Sequence, residues 1–304
     1  MLTLERAKVN PGQVRKASSK AKKASKASKG ASKAKKAYSV KVITDCHGRQ
    51  RKIIYVNSFQ AEKVHIVIGN AKVGKRVMTF SFPTWYSCNH ACECFTGTKE
   101  HRPACYAMQG CYNFLSVQFA HAENFKFFME KTSREFCDAI NAEIFRHRRT
   151  CDKYRWFTAG DILNARFLEC MVTIAKENPG VKFWTYTKKY NIVNAWIAKN
   201  GLDAMPSNLT IIYSHWLNDD GSYFPMDNKY NLPTSEFIPY GREDLAEKVT
   251  FICPCSDPTV KANCENCDHC CADLKCGQSQ ALLEHSTKRT KSRDKAIAAA
   301  HAKL

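Results

Sequence analysis

Apolar runs and helical spacings alternate through the middle of the chain. His65–Gly69 and Val77–Phe82 are short apolar runs joined by a Gly/Asn/Lys turn, a pattern that predicts a β-hairpin. Phe125, Phe128, Met129, Phe136, Ile140 and Ile144 recur at three, four and multiples of four, predicting an amphipathic helix over roughly 120–147. Tyr154–Ala159 reads as a short aromatic strand. Phe167, Met171, Ile174 and Ala175 mark a helix that Pro179-Gly180 stops. Val181–Tyr186 is a further strand, and Ile192, Ala195, Trp196 and Lys199 mark a helix closed by Gly201. Leu209–Ser214 is a fully apolar strand, and Val249–Ile252 is the last.

Strand–helix alternation at these lengths predicts an α/β fold with parallel strands and crossover helices. About five strands are too few for a closed eightfold barrel. The expected architecture is therefore a partial (βα) barrel or an open parallel sheet with crossover helices, preceded by the hairpin. In such folds chemistry collects at the carboxyl ends of the strands. Cys88 follows the first of them, Gly160-Asp161 the second, Thr187-Lys188 the third and Ser214-His215-Trp216 the fourth. By spacing alone, Gly160-Asp161 is a tight turn with a helix-capping carboxylate, and Lys188 is a surface charge.

Charge changes the picture only at the ends. The chain of 304 residues has a formal net charge of +19. Residues 15–36 hold ten Lys/Arg and no acid, and residues 287–304 hold six basic residues against Asp294, so the body is close to neutral. Residues 1–37 form a Lys/Ala/Ser-rich basic tail with nothing to bury, expected to be disordered. Such an arm can bind nucleic acid non-specifically by releasing counterions, or serve only as a solubilising extension. The basic C-terminal tail, 287–304, reads as a solvated end or a short exposed helix. No stretch reaches the ~18 apolar residues of a membrane span, so no membrane partner is expected. The N-terminal MLTLERAKVNPGQVRK has no apolar signal core, which points to a cytoplasmic, reducing location.

The chain contains 16 cysteines. Cys253-Pro254 is followed by Cys264-x2-Cys267-x2-Cys270, and an upstream group holds Cys88, Cys92, Cys94 and Cys105. Two residues between thiolates let a tight turn aim both sulfurs inward, and four such ligands close a tetrahedral zinc site or a cubane. Cys264, Cys267, Cys270 and Cys271 lie in a polar, Asn/Asp-rich stretch that does not read as core. Cys137 and Cys170 sit inside helical patterns and, with Cys46 and Cys151, read as buried small hydrophobes. Two separated groups imply two metal centres, or one centre built from both. The expected layout is an α/β partial-barrel domain over 38–248 and a Cys-rich metal-binding module over 249–286, between the two tails.

FSFP…SC through ACYAMQGCYNF, then RWFTAGDILNARFLECMVTIAKENPGVKFWTYTK, PSNLTIIYS and ICP…C-x2-C-x2-C, resembles the phage-encoded gene product 88 family. These are radical-SAM-like iron–sulfur proteins of phages and related mobile elements, mostly of unknown function. The similarity covers roughly residues 65–285, and its most specific parts are Cys105-Tyr106-Ala107, Gly160-Asp161, Tyr186-Thr187-Lys188 and the C-terminal cysteines. The resemblance implies cluster ligands at Cys88, Cys94 and Cys105, with Cys92 a rival for Cys94. Three thiolates leave one iron of a 4Fe-4S cluster open, where S-adenosylmethionine binds in radical SAM enzymes and is cleaved. Gly160 would then permit close backbone approach, Asp161 would accept from the cofactor ammonium, and Lys188 would line the same site. Cys253, Cys264, Cys267 and Cys270 would close a second centre, iron–sulfur or zinc. Two alternatives stay open: a non-catalytic iron–sulfur or zinc protein with structural or regulatory work, and a basic-tailed nucleic-acid-binding protein whose metal staples the fold. The substrate and the oligomeric state are not indicated.

Overall fold

Two hairpins precede the helices, where the sequence pattern predicts one. The first pairs β1 (Val40–Thr44) with β2 (Gln50–Ile54) as a separate antiparallel sheet. The second joins β3 (Val67–Asn70) to β4 (Gly74–Phe80), with a register shift between Ile68 and Asn70. The computed structural model describes residues 38–44, 50–70, 73–88, 105–108, 110–216, 224–238, 249–256 and 260–283. The tails at 1–37 and 287–304, with Cys46, Cys92 and Cys94, lie outside the described residues. All the described residues belong to one compact unit.

From β4 onward the sheet is parallel and its order follows the chain: β5 (Lys153–Trp156), β6 (Lys182–Thr187), β7 (Leu209–His215), β8 (Thr234–Ile238) and β9 (Ser279–Leu283). The seven strands form an open sheet, with β3 and β9 at its edges. Right-handed crossovers between sequential parallel neighbours place the connecting helices on one face. Those helices are α1 (Thr84–Ser87), α2 (Leu115–Glu130), α3 (Ser133–His147), α4 (Ala165–Glu177) and α5 (Tyr190–Asn200).

The single helix expected over 120–147 is two helices. Thr132 accepts from the Glu135 N–H at 3.3 Å while Glu135 accepts from the Thr132 N–H at 2.9 Å. This capping box starts α3 afresh and ends α2 at Glu130. The strand count also differs. Val249–Ile252 contributes only a bridge between Ile252 and Ala281, whereas Thr234–Ile238 and Ser279–Leu283 are full strands. Their buried positions include the polar Ser235, Glu236 and Gln280 beside Ile238, Ala281 and Leu283, so neither shows the long apolar run of β7.

The two faces of the sheet are packed differently. On the helix side, Phe167 of α4 lies 4.9 Å from Phe82, 5.0 Å from Phe128, 5.6 Å from Trp156 and 6.1 Å from Phe80, centroid to centroid. Such ring pairs contribute about 0.5–1.5 kcal/mol each beyond their buried area, so this cluster anchors α2, α3 and α4 to the sheet. On the other face Val77, Trp184 and Ile212 are buried against Cys271 and Leu274 of the C-terminal segment. Among the described residues the cysteine-rich segment therefore covers the face that carries no α-helix, and β9 ties its end into the sheet.

Candidate cysteine centre on the helix-free face

Alternation along β5 sends Tyr154 and Trp156 into the helix-side core and Lys153 and Arg155 to the opposite face. Lys153 organises the cysteine loop from there. Its Nζ donates to the carbonyls of Cys264 (3.0 Å), Glu265 (2.7 Å) and Cys267 (3.4 Å) and pairs with Asp268 Oδ1 at 2.7 Å. Lys182 holds the other Asp268 oxygen at 3.0 Å, and the two ammonium groups pull the Asp268 carboxyl down to about 2. Gly74, at φ +87°, completes the seat, because a Cβ there would lie 2.3 Å from Glu265 Cβ. The neighbouring Lys75 N–H donates to Glu265 Oε2 at 2.7 Å. The Cys264–Asp268 loop is thus docked on the first residues of β4, β5 and β6.

The second part of the group comes from beside β9. Cys253 N–H donates to Ala281 O at 2.9 Å, and Ser256 Oγ donates to Cys253 O at 2.7 Å while accepting from Leu283 N–H at 3.1 Å. This clamp delivers Cys253 and Cys255 to Cys264. Cys255 shares hydrogen bonds with both thiols, which raises its own pKa and lowers that of Cys253. Cys264 is pulled down to about 6, first by the Cys255 hydrogen bond and then, against burial, by Arg155 and Lys153. Cys267 and Cys270 feel the charges of Cys253 and Cys264; burial raises the Cys267 thiol and pushes Cys270 up to about 12. Cys270 Sγ lies 3.0 Å from Tyr186 Oη and donates to Gln280 Oε1 at 3.4 Å. Cys253, Cys264, Cys267 and Cys270 therefore do gather, with Cys255 as an added member. Cys271 stays out, buried against Trp184 and Leu274.

The gathering is one of hydrogen bonds and charge. Among the described residues no three His, Cys, Asp or Glu side chains are set in a metal-holding arrangement. The donor set nevertheless has the chemistry of a soft-metal site, with several thiols, two lowered pKa values and two flanking cations.

The upstream cysteines sit after β4. Cys88 closes α1, its N–H on Thr84 O at 3.0 Å, and Cys105 precedes the 3-10 turn Tyr106–Met108. Both are half-buried, and they bracket the segment that carries Cys92 and Cys94.

Gly160 and Asp161 stand where β5 ends, and their contacts are internal. At φ +89°, Gly160 lets the chain pass so closely that a Cβ would meet Ser87 Oγ at 2.6 Å and Phe82 O at 2.8 Å. Asp161 Oδ1 accepts from Thr187 Oγ1 at 2.6 Å and Ile162 N–H at 2.7 Å, and Oδ2 accepts from Lys188 N–H at 3.0 Å. Burial raises the carboxyl pKa against these three donors. The carboxylate thereby ties the end of β5 to the end of β6. Lys188 extends its Nζ over Trp216, 4.5 Å from the ring centroid. Asp161→Asn places an amide N–H₂ where at least one of these donors points. We expect it to cost about 1–3 kcal/mol in urea unfolding, the usual penalty for a mispaired buried group. An unchanged midpoint would contradict this role.

The family model for Gene product 88 matches residues 20–293. This chain belongs to the Gene product 88 family. No curated protein and no solved structure matches it. In this Gene product 88 protein the residues that spacing did not single out are Cys255, Lys153 and Gly74. The Cys253-Pro254-Cys255 doublet was a visible signal for the first. Nothing local marks the other two, whose partners lie more than 100 residues away. Among the described residues no helix is long and apolar enough to cross a membrane.

Proposed function

We propose that this Gene product 88 protein is an iron–sulfur protein, with one centre held by the C-terminal cysteines on the helix-free face. The observation that carries the reading is the convergence of Cys253, Cys255, Cys264, Cys267 and Cys270 beneath the cations of β5. Thiolate donors select iron in clusters or zinc over harder ions. Cys88, Cys94 and Cys105 would supply three thiolates to a second, open-site 4Fe-4S cluster at the carboxyl end of the sheet. S-adenosylmethionine is the ligand proposed for that open site. When bound, iron–sulfur clusters supply one-electron transfer. The protein's own part is physical. Lys153 fixes the loop through its carbonyls, leaving the sulfurs free to bind. Trp184, Ile212, Cys271 and Leu274 form a dry floor beside them. Tyr186 Oη, which itself accepts from Gln280 Nε2 at 3.0 Å, can donate to the Cys270 sulfur, and such a hydrogen bond tunes cluster potentials.

Anaerobic purification from iron-supplied cells tests this directly. The expected protein is brown, shows the broad visible absorption of thiolate-ligated iron, and contains iron and acid-labile sulfide in equal amounts. Colourless protein carrying stoichiometric zinc would replace the iron–sulfur reading with a zinc one.

A further inference from the structure

Three cysteines outside the C-terminal segment are buried among the described residues, and two of them meet. Cys137 lies on α3 and Cys170 on α4, 33 residues apart, at 2% and 1% exposure. Their thiols share a hydrogen bond across the helix interface. Cys137 Sγ also reaches Cys170 O at 3.9 Å, and Cys170 Sγ reaches Ser133 O at 3.9 Å. The third, Cys151, faces Thr150 Oγ1 and the Lys75 carbonyl instead of a thiol.

The helices hold this pair firmly. Phe136 and Phe167 pack beside it with ring centroids 5.6 Å apart, and at the surface Arg134 and Asn141 both bind Glu177, at 2.6 and 2.5 Å. Solvent is one side chain away. Arg134 and Asp138, on the turns flanking Cys137, have side chains 60% and 55% exposed, and Ser133, whose carbonyl receives the Cys170 thiol, is exposed. The two sulfurs are not equivalent. Their shared hydrogen bond pulls Cys170 down to about 7 against burial, with help from the Arg166 cation, while the same bond and burial push Cys137 up. A sulfur with thiolate character beside a thiol able to attack it in turn is the arrangement of a redox pair.

We infer that Cys137 and Cys170 form a reversible dithiol–disulfide pair, oxidised by hydrogen peroxide, that locks α3 to α4. The Cys170 sulfur attacks one peroxide oxygen and the O–O bond breaks. The other oxygen leaves as water with the Cys170 thiol proton, and Cys170 becomes a sulfenic acid. The Cys137 sulfur then attacks the Cys170 sulfur. The S–S bond forms, the S–O bond breaks, and the hydroxyl leaves as a second water with the Cys137 proton. The pair gives up two electrons and two protons, and one peroxide becomes two waters. The inference goes beyond the iron–sulfur reading and does not depend on which metal the other cysteines hold.

Tryptic mapping reads this pair without ambiguity, because residues 135–146 carry Cys137 as their sole cysteine and residues 167–176 carry Cys170. The full chain, purified anaerobically with its metal content measured, is treated with hydrogen peroxide under native conditions, and free thiols are blocked before digestion. The two peptides should appear joined, lighter than their sum by two hydrogens, in at least about half of the molecules. Links to the peptide 150–153, which carries Cys151, should be at least about tenfold rarer, since that thiol has no thiol neighbour. A small dithiol should return both cysteines to the free form. Cys137→Ala should leave Cys170 as a sulfenic acid that dimedone captures, whereas Cys170→Ala should leave Cys137 unoxidised. At matched metal content the linked form should melt roughly 5–10 °C above the reduced one, because the bond closes a long loop. An equal or lower Tm would deny the lock. If both thiols stay free in the native protein and react only in urea, or if Cys170 is oxidised without joining Cys137, the redox pair is overturned. The two cysteines are then small core residues and nothing more.

Discussion

With the proposed centre in place, Cys264→Ala should lower the metal content of the protein and loosen its C-terminal segment, while Cys105→Ala should leave that segment in place. This is the largest effect expected from the proposed centre. Cys264 is where the two parts of the group meet, hydrogen-bonded to Cys255 and close enough in charge to Cys253, Cys267 and Cys270 to shift them. The substitution removes the sulfur and nothing else that holds the loop. Lys153 bonds the Cys264 backbone carbonyl, and Glu265 and Asp268 keep their partners on Lys75, Lys153 and Lys182. Metal binding by such a segment is coupled to its folding, and structural thiolate sites contribute of order 10 kcal/mol at neutral pH. The variant should therefore lose one centre's metal and several kcal/mol of stability in anaerobic urea unfolding. After chelation, both proteins should unfold within about 1 kcal/mol of each other, the ordinary effect of a truncation at a half-buried position. Iron, sulfide and zinc analysis decides the matter. Full metal content in Cys264→Ala would remove the C-terminal centre, and loss of all metal in either variant would indicate one shared centre.

Gly160→Ala should be nearly as damaging, for a reason that involves no metal. The residue stands at φ +89°, where an L side chain is strained by about 1–2 kcal/mol. Its new methyl would also lie 2.6 Å from Ser87 Oγ, 2.8 Å from Phe82 O and 2.9 Å from Phe82 Cβ. Ser87 could rotate away. Phe82 cannot, because its N–H holds Ala159 O at 3.0 Å and its ring packs against Phe167. Overpacking of this kind costs about 1–3 kcal/mol more, giving a total of about 2–5 kcal/mol in a urea midpoint shift at constant m. Relief of the clash would displace Ser87 and with it Cys88, so the upstream cysteine should become more reactive to a thiol reagent. A loss below about 1 kcal/mol would show that the close approach is not structural.

The helices at 133–147, 165–177 and 190–200 were legible because their buried faces recur at helical spacing. Phe136, Ile140 and Ile144 of the first are all buried, as are Phe167, Met171 and Ile174 of the second. The strands at 153–156, 182–187 and 209–215 were legible because aromatic and branched side chains dominate them. Parallel order followed from the alternation of the two. The last strands were hidden because polar residues share their interior positions with Ile238, Ala281 and Leu283. Ser235 and Gln280 are 1% and 0% exposed, and the hydrogen bond from Gln280 Nε2 to Tyr186 Oη spans 94 residues. No window of sequence contains both ends of such a bond.

The cysteine group divides in the same way. Sequence alone determined that Cys264, Cys267 and Cys270 lie on one tight loop, because two-residue spacing is a local property of the backbone. The same stretch read as too polar to serve as core, yet its Cys271 is buried against Trp184 and Leu274. Only the tertiary structure decided what the loop rests on. The order of the sheet puts Lys153 and Arg155 on the helix-free face, and Gly74 leaves room for Glu265 to dock there. The turn clamped to β9 then carries Cys255 into the group beside Cys253. Two forces make these choices, the burial of Trp184 and Leu274 and the pairing of Lys153 with carbonyls about 110 residues away. Both act between segments that meet only when the sheet has formed, so the identity of the partners belongs to the fold and not to any stretch of the chain.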